Sequence, residues 1–162
     1  MTLIVADTGP VNYLVQIDCV DVLPELAETV VLPVSVLAEL RSAHAPAAVR
    51  VWAEHLPDWI VLREPGLLIP AQPDLSLADR TAIALAMELN ALLLMDDRKA
   101  RRSASEQMVA TIGTVGILEV AAAKGLISLS AALAQLQATN MFLSGDLVAQ
   151  ALQRDSLRRA GA

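Results

Sequence analysis

Five carboxylates stand where they could do chemistry. Asp7 closes the apolar run Leu3–Ala6, and the adjacent pair Asp96-Asp97 closes the run Leu92–Met95. Glu39 lies in an amphipathic stretch just after the run Val30–Leu32, and Asp79 stands near the start of a long apolar segment. Carboxylates that converge repel, raise one another's pKa and call for a counter-ion. A hard divalent cation such as Mg2+ or Mn2+ is the usual one, since it prefers oxygen ligands. Bound to carboxylates, it activates water and steadies charge on a phosphate under attack. Arg98, Lys99, Arg101 and Arg102 follow the acidic pair within five positions and suit a phosphodiester backbone.

Each acid also has a reading without chemistry. Asp7 suits the cap of a helix that follows it, and Ser76-Leu-Ala-Asp79 fits a capping box. Glu39 fits the solvent face of an amphipathic helix. Asp96-Asp97 fits a turn or cap leading into an Arg-rich helix. The case for a site lies in the set, because all four positions fall at one expected edge of one sheet.

That edge follows from the elements. Short apolar runs at Leu3–Ala6, Val30–Leu32, Trp59–Leu62 and Ala91–Met95 read as strands, with a weaker fifth at Met108–Ile112. Helical spacing or start signals mark Val11–Ile17, Val22–Glu28, Val34–Ser42, Ala47–Leu56, Ser76–Leu89 and Thr114–Lys124. Glu64–Pro73 carries three prolines and a glycine and reads as a loop. Ser128–Gln137 and Ser144–Arg159 read as closing helices. Apolar strands alternating with helices predict an α/β fold with a mainly parallel sheet of four to five strands, covered on both faces. Ligands of such sheets bind beyond the carboxyl ends of the strands. The expected division is an α/β domain over residues 1–127 and a C-terminal helical extension over 128–162, packed on the same domain or a partner.

Composition narrows the classes. A chain of 162 residues at 55% hydrophobic makes one ordinary domain with a real core. At 2% aromatic it has little with which to build base-stacking platforms. A net charge of -6 excludes broad, charge-driven polyanion binding and leaves room for a local basic patch. The lone Cys19 cannot form an internal disulfide, which points to a reducing compartment. MTLIVADTGP has no basic start, and Asp7 breaks its apolar run, so no signal peptide is expected. No run is long enough to span a bilayer. The expectation is a soluble, cytoplasmic protein. His44 and His55 show no metal-ligand spacing and read as surface residues.

Ile4–Pro10 (IVADTGP), Leu32–Leu40 (LPVSVLAEL), Leu75–Leu89 (LSLADRTAIALAMEL) and Leu92–Arg102 (LLLMDDRKARR) together resemble PIN-domain proteins, in the broad group of VapC-like toxins. IGTVGIL at Ile112–Leu118 and AAAKGLI at Ala121–Ile127 resemble a branch with a GT-x-G turn and a K-G-L-I helix end. The resemblance runs from Leu3 to Ile127 and implies a PIN-like α/β/α sandwich. It implies an endoribonuclease dependent on Mg2+ or Mn2+ that uses metal-activated water and leaves a 5′-phosphate and a 3′-hydroxyl. Residue by residue, the catalytic acids fall on Asp7, Glu39, Asp79 and Asp97, and the metal ligands on Asp7, Asp79 and the Asp96-Asp97 pair. Arg80, Arg98, Lys99, Arg101 and Arg102 become the RNA contacts. A homodimer and a protein antitoxin are the partners implied.

Three positions depart from the family pattern. Gly9 stands where Ser or Asn is common, and Met95 where Thr or Ser is common two residues before the fourth acid, which makes Asp97 the ligand and Asp96 a supporting or sharing carboxylate. Asp79 is one methylene shorter than the frequent Glu. Two other classes stay open: a PIN-like binding module without catalysis, and a DNA-binding regulator using the closing helices through Arg154, Arg158 and Arg159.

Overall fold

The computed structural model describes residues 3–161. Residues 1, 2 and 162, at the ends of the expected 1–127 and 128–162 segments, lie outside the described residues.

Five strands form one sheet: β1 (Leu3–Ala6), β2 (Thr29–Pro33), β3 (Ile60–Arg63), β4 (Leu92–Leu94) and β5 (Thr111–Ile112). Their order is β3-β2-β1-β4-β5, and every pairing is parallel. The chain builds outward from β1 in one direction, then returns to β1's other side with β4. The β1/β4 boundary is therefore the topological switch point, where open parallel sheets leave a crevice for ligands.

Side-chain alternation divides the core. Ile4, Ala6, Val30, Leu32 and Leu94 face one layer, while Val5, Val31, Leu93 and Met95 face the other. The first layer holds α1 (Thr8–Gln16), α2 (Leu23–Leu26), α3 (Val34–Leu40), α4 (Ala47–Glu54), α7 (Thr114–Ala123), α8 (Leu129–Gln137) and α9 (Gly145–Ala160). The second holds α5 (Leu77–Leu89) and α6 (Arg98–Glu106). Strands buried on both faces need apolar residues at every buried position, and β1, β2 and β4 have them. The edge strand β3 is half-buried only at its start and exposes Val61 and Leu62.

Several elements differ from the sequence expectation for local reasons. Helix α1 starts at Thr8, ahead of Pro10, because proline fits a first turn whose N–H groups have no helical partner. The expected helix Val22–Glu28 becomes a 3-10 turn, Val20–Val22, and the short α2, with Pro24 at its start. The cationic stretch after Asp97 is a full helix, α6, capped by Asp97 itself. The loop before α5 is strapped down at two points: Ile69 is buried, and the Gly66 N–H donates to Glu88 at 2.8 Å. Helices α8 and α9 join the first-layer core through Leu129, Ala132, Leu133, Leu136 and Ala151.

Candidate active site

Asp7 is the first residue past β1, and its N–H still reaches the Leu94 carbonyl at 3.0 Å. The alternation of β1 therefore continues, and Asp7 shares the face of Val5, toward α5. Its side chain is only 5% exposed, yet it makes no capping hydrogen bond to α1, and its Oδ1 has no partner. Burial, first, and the charge of Asp79, second, push its pKa from 3.8 up to about 7. The Thr8 N–H works the other way, while the charge of Glu39 and a hydrogen bond with Asp79 add to the rise. The capping reading of Asp7 is thus excluded by its geometry.

Asp79 reaches Asp7 from the first turn of α5. It also completes a capping box: its N–H donates to Ser76 Oγ at 3.0 Å, and its Oδ2 accepts from the Ser76 N–H at 3.0 Å. The two readings of this residue are therefore compatible. Glu39 projects from the end of α3 and accepts a 2.5 Å hydrogen bond from Thr8 Oγ1. Thr8, next to Asp7 in sequence, ties the acid of α3 to the end of β1. A groove of about 600 Å³ opens beside them, lined by Asn12, Gln16, Ser42, His44 and Asn140. His44 is exposed at this rim, and His55 is exposed elsewhere.

The acidic pair after β4 divides. Asp97 is exposed, and its Oδ1 accepts from the Ala100 N–H at 2.9 Å as the cap of α6. Asp96 points to the opposite side of the crevice from Asp7, toward α7 and α1. Its Oδ1 accepts from the Thr114 N–H at 2.7 Å, and its Oδ2 from Thr114 Oγ1 at 2.6 Å. The charge of Asp96 adds to burial in raising the pKa of Tyr13 on α1. A Cβ on Gly113 would come 3.0 Å from Asp96 Oδ1 and 3.3 Å from an Arg101 terminal nitrogen. On Gly116 it would come 2.8 Å from Ile112 Cγ1. Both glycines of the GT-x-G turn are thus required by close approach.

So the structure gathers Asp7, Asp79 and Glu39, holds Asp96 across the crevice, and gives Asp97 a capping role. Among the described residues, no three His, Cys, Asp or Glu side chains are grouped so as to hold a metal ion between them. A cation that keeps most of its waters and takes one or two carboxylates still fits Asp7 and Asp79, as Mg2+ does. The unpartnered, buried Oδ1 of Asp7 is the donor that such an ion would satisfy. Gly9 has open space about it, where a larger polar residue would fit, and Met95 is buried in the second core layer.

The expected RNA contacts also scatter. Arg80 points its guanidinium at the Ile69 carbonyl, with bonds of 3.2 and 2.9 Å, and so fastens the loop before α5. Lys99 pairs with Asp74 at 3.3 Å, and Arg102 lies on the same flank of α6. Arg98 and Arg101 face the Asp96 side, where Arg101 Nε donates to Thr111 Oγ1 at 3.1 Å. Thr8, Tyr13 and Thr114 escaped the sequence reading. Adjacency to Asp7 was the available signal for Thr8, and the GT-x-G turn was the signal for Thr114.

A family model described as DUF3368, PIN domain, matches residues 3–156. The chain belongs to the PIN-domain family. Members of this family are generally nucleases and generally use divalent metal ions. The match runs through α8 and most of α9, beyond the segment in which the sequence resemblance was seen. Among solved structures, a PilT N-terminus domain protein from the hyperthermophilic archaeon Sulfolobus solfataricus P2 is similar at 15% identity. That likeness covers 88% of this PIN domain chain and 100% of the other, with a TM-score of 0.49. No curated protein matches the chain. Among the described residues, no helix is long and apolar enough to cross a membrane.

Proposed function

We propose that this PIN domain is an endoribonuclease dependent on Mg2+ or Mn2+, the cytoplasmic toxin of a toxin–antitoxin pair, acting as a homodimer that a protein antitoxin restrains. The observation that supports the nuclease reading best is Asp7: buried, without a cation, with one oxygen unpartnered and two carboxylates nearby. Isolated proteins do not keep such a group for stability, since buried charge without a partner is costly.

Asp7 and Asp79 would hold the cation, with Glu39 positioned by Thr8 at the same edge. Bound there, the cation supplies a water acidic enough to attack and a charge that steadies the phosphate. Asp7 must shed its proton for this, so occupancy rises as pH passes about 7. Glu39, held by Thr8, would take a proton from the attacking water. Asp96, fixed by Thr114, and Arg101 beside it shape the far wall of the crevice.

The test is cleavage of a mixed pool of tRNA, rRNA and mRNA with Mg2+, with Mn2+ and with EDTA. Metal-dependent cuts with 5′-phosphate ends are expected, and Asp7→Asn should lower their rate at least ~100-fold. Cyclic phosphates at the cut ends would contradict the mechanism. The scattered donor set favours one second reading, a PIN-like binding module without catalysis. It predicts weak Mn2+ binding, no metal-dependent cleavage and no effect of Asp7→Asn on any nuclease assay.

A further inference from the structure

On the Asp96 side of the crevice, a groove of about 710 Å³ runs from Asp96, Arg98 and Arg101 to the connection between α8 and α9. Phe142 stands on its far rim and is 90% exposed. The chain has few aromatics: two Trp, one Tyr and one Phe. Trp52 and Trp59 pack with ring centroids 6.5 Å apart, and Tyr13 is half-buried against the core. Phe142 alone among them is fully presented to solvent. Its neighbours Met141 and Leu143 are both packed on the first-layer core. The connection is therefore anchored on each side of Phe142, and the ring is held out over the groove.

The charges in the groove favour an anion. Its two acids are already engaged, Asp96 by Thr114 and Glu119 by Arg154, whose Nε lies 2.8 Å from Oε1. Arg98 makes no hydrogen bond or ion pair among the described residues. Arg101 commits only its Nε, to Thr111. Free guanidinium groups beside a fixed, exposed aromatic face are the two elements that single-stranded nucleic acid requires: phosphate contacts and a stacking platform.

We infer that this groove seats the single-stranded RNA next to the bond that is cut, with a base stacked on Phe142 and phosphates met by Arg98 and Arg101. The inference rests on the proposed ribonuclease reading and assigns where its substrate lies. Substrate would then cross the crevice from the Asp7 side to the α9 side. One ring sets the reach, and stacking tolerates any base, so Phe142 would contribute affinity and little sequence selection.

The test is binding, measured in EDTA by the anisotropy of a labelled single-stranded RNA of about 12 nucleotides. Phe142→Ala should weaken binding ~10-fold, and Phe142→Trp should restore it. The new Trp should be quenched as RNA is added. Replacing both Arg98 and Arg101 with Ala should flatten the slope of log K against log salt by about 1.4. Unchanged affinity in Phe142→Ala would overturn the inference. So would a dimer that Phe142→Ala dissolves while RNA affinity stays the same, because the groove would then be an interface between copies. Cleavage is not part of this readout. A protein that cleaves RNA but ignores Phe142 fails the inference alone. One that binds RNA through Phe142 but never cuts fails the nuclease reading alone.

Discussion

Asp7 and Asp155 are both buried carboxylates, and the chain treats them oppositely. Asp155, on α9, accepts from Arg158 at 3.2 Å and lies 3.3 Å from Arg159 Nε. Both cations come from its own helix, at i+3 and i+4, and their outer atoms reach water. Asp7 meets two more carboxylates and, among the described residues, no cation. The Asp155 arrangement completes itself within about one helical turn of sequence. The Asp7 arrangement has no such answer among the described residues, and under the proposed function a cation from outside completes it. A buried charge that the fold answers is structure; one that it leaves unanswered is a candidate for a binding site.

The contrast is sharpest in the sign of a stability change. Asp7 has a folded pKa of about 7 against 3.8 when unperturbed, so between those values the folded state holds more protons than the unfolded one. Stability therefore falls as pH rises from about 4 to about 7 and levels off above that. Asp7→Asn should remove that slope and, in EDTA at pH 8, stabilise the protein by roughly 1–4 kcal/mol, at 1.36 kcal/mol per pKa unit. Thermal unfolding across pH with and without the substitution measures it. Destabilisation by Asp7→Asn would break the comparison from the Asp7 side.

Asp155→Asn should go the other way. It removes the charge that gathers Arg158 and Arg159, at about 1–2 kcal/mol in urea unfolding, and should leave metal-dependent cleavage unchanged. Next in size is Thr114→Val, which deletes one of two donors to Asp96 at about 1 kcal/mol. It should also slow cleavage, since it frees the wall of the crevice. Asp97→Ala removes a helix cap, again about 1 kcal/mol, and should spare Mn2+ affinity. Loss of Mn2+ binding in Asp97→Ala would return the fourth ligand to Asp97. Smallest is Lys99→Ala, an exposed pair with Asp74, within about 0.5 kcal/mol.

The strands were legible because burial on both faces demands unbroken apolar runs, and each run ends where the sheet does. The Ser76–Asp79 capping box was legible because its partners are three residues apart. The division of Asp96 from Asp97 was not. Adjacent residues past a strand end take opposite directions, and which one enters the crevice depends on α7, which delivers Thr114 eighteen residues beyond Asp96. Helix α6 was legible only as the Arg-rich helix of the capping alternative, since its charges leave only Ala100, Ser103 and Ala104 buried. The basic residues read alike in sequence, yet Arg80 serves a loop carbonyl and Lys99 a neighbouring acid. What a guanidinium meets is set by long-range packing, which local spacing does not encode.

The most direct measurement is calorimetric titration of Mn2+ into the wild type and Asp7→Asn at pH 8. The account predicts one saturable site in the wild type, lost in Asp7→Asn and kept in Asp97→Asn. Equal Mn2+ binding by the wild type and Asp7→Asn, or none by the wild type, would contradict the claim that Asp7 is left unanswered in order to hold a cation.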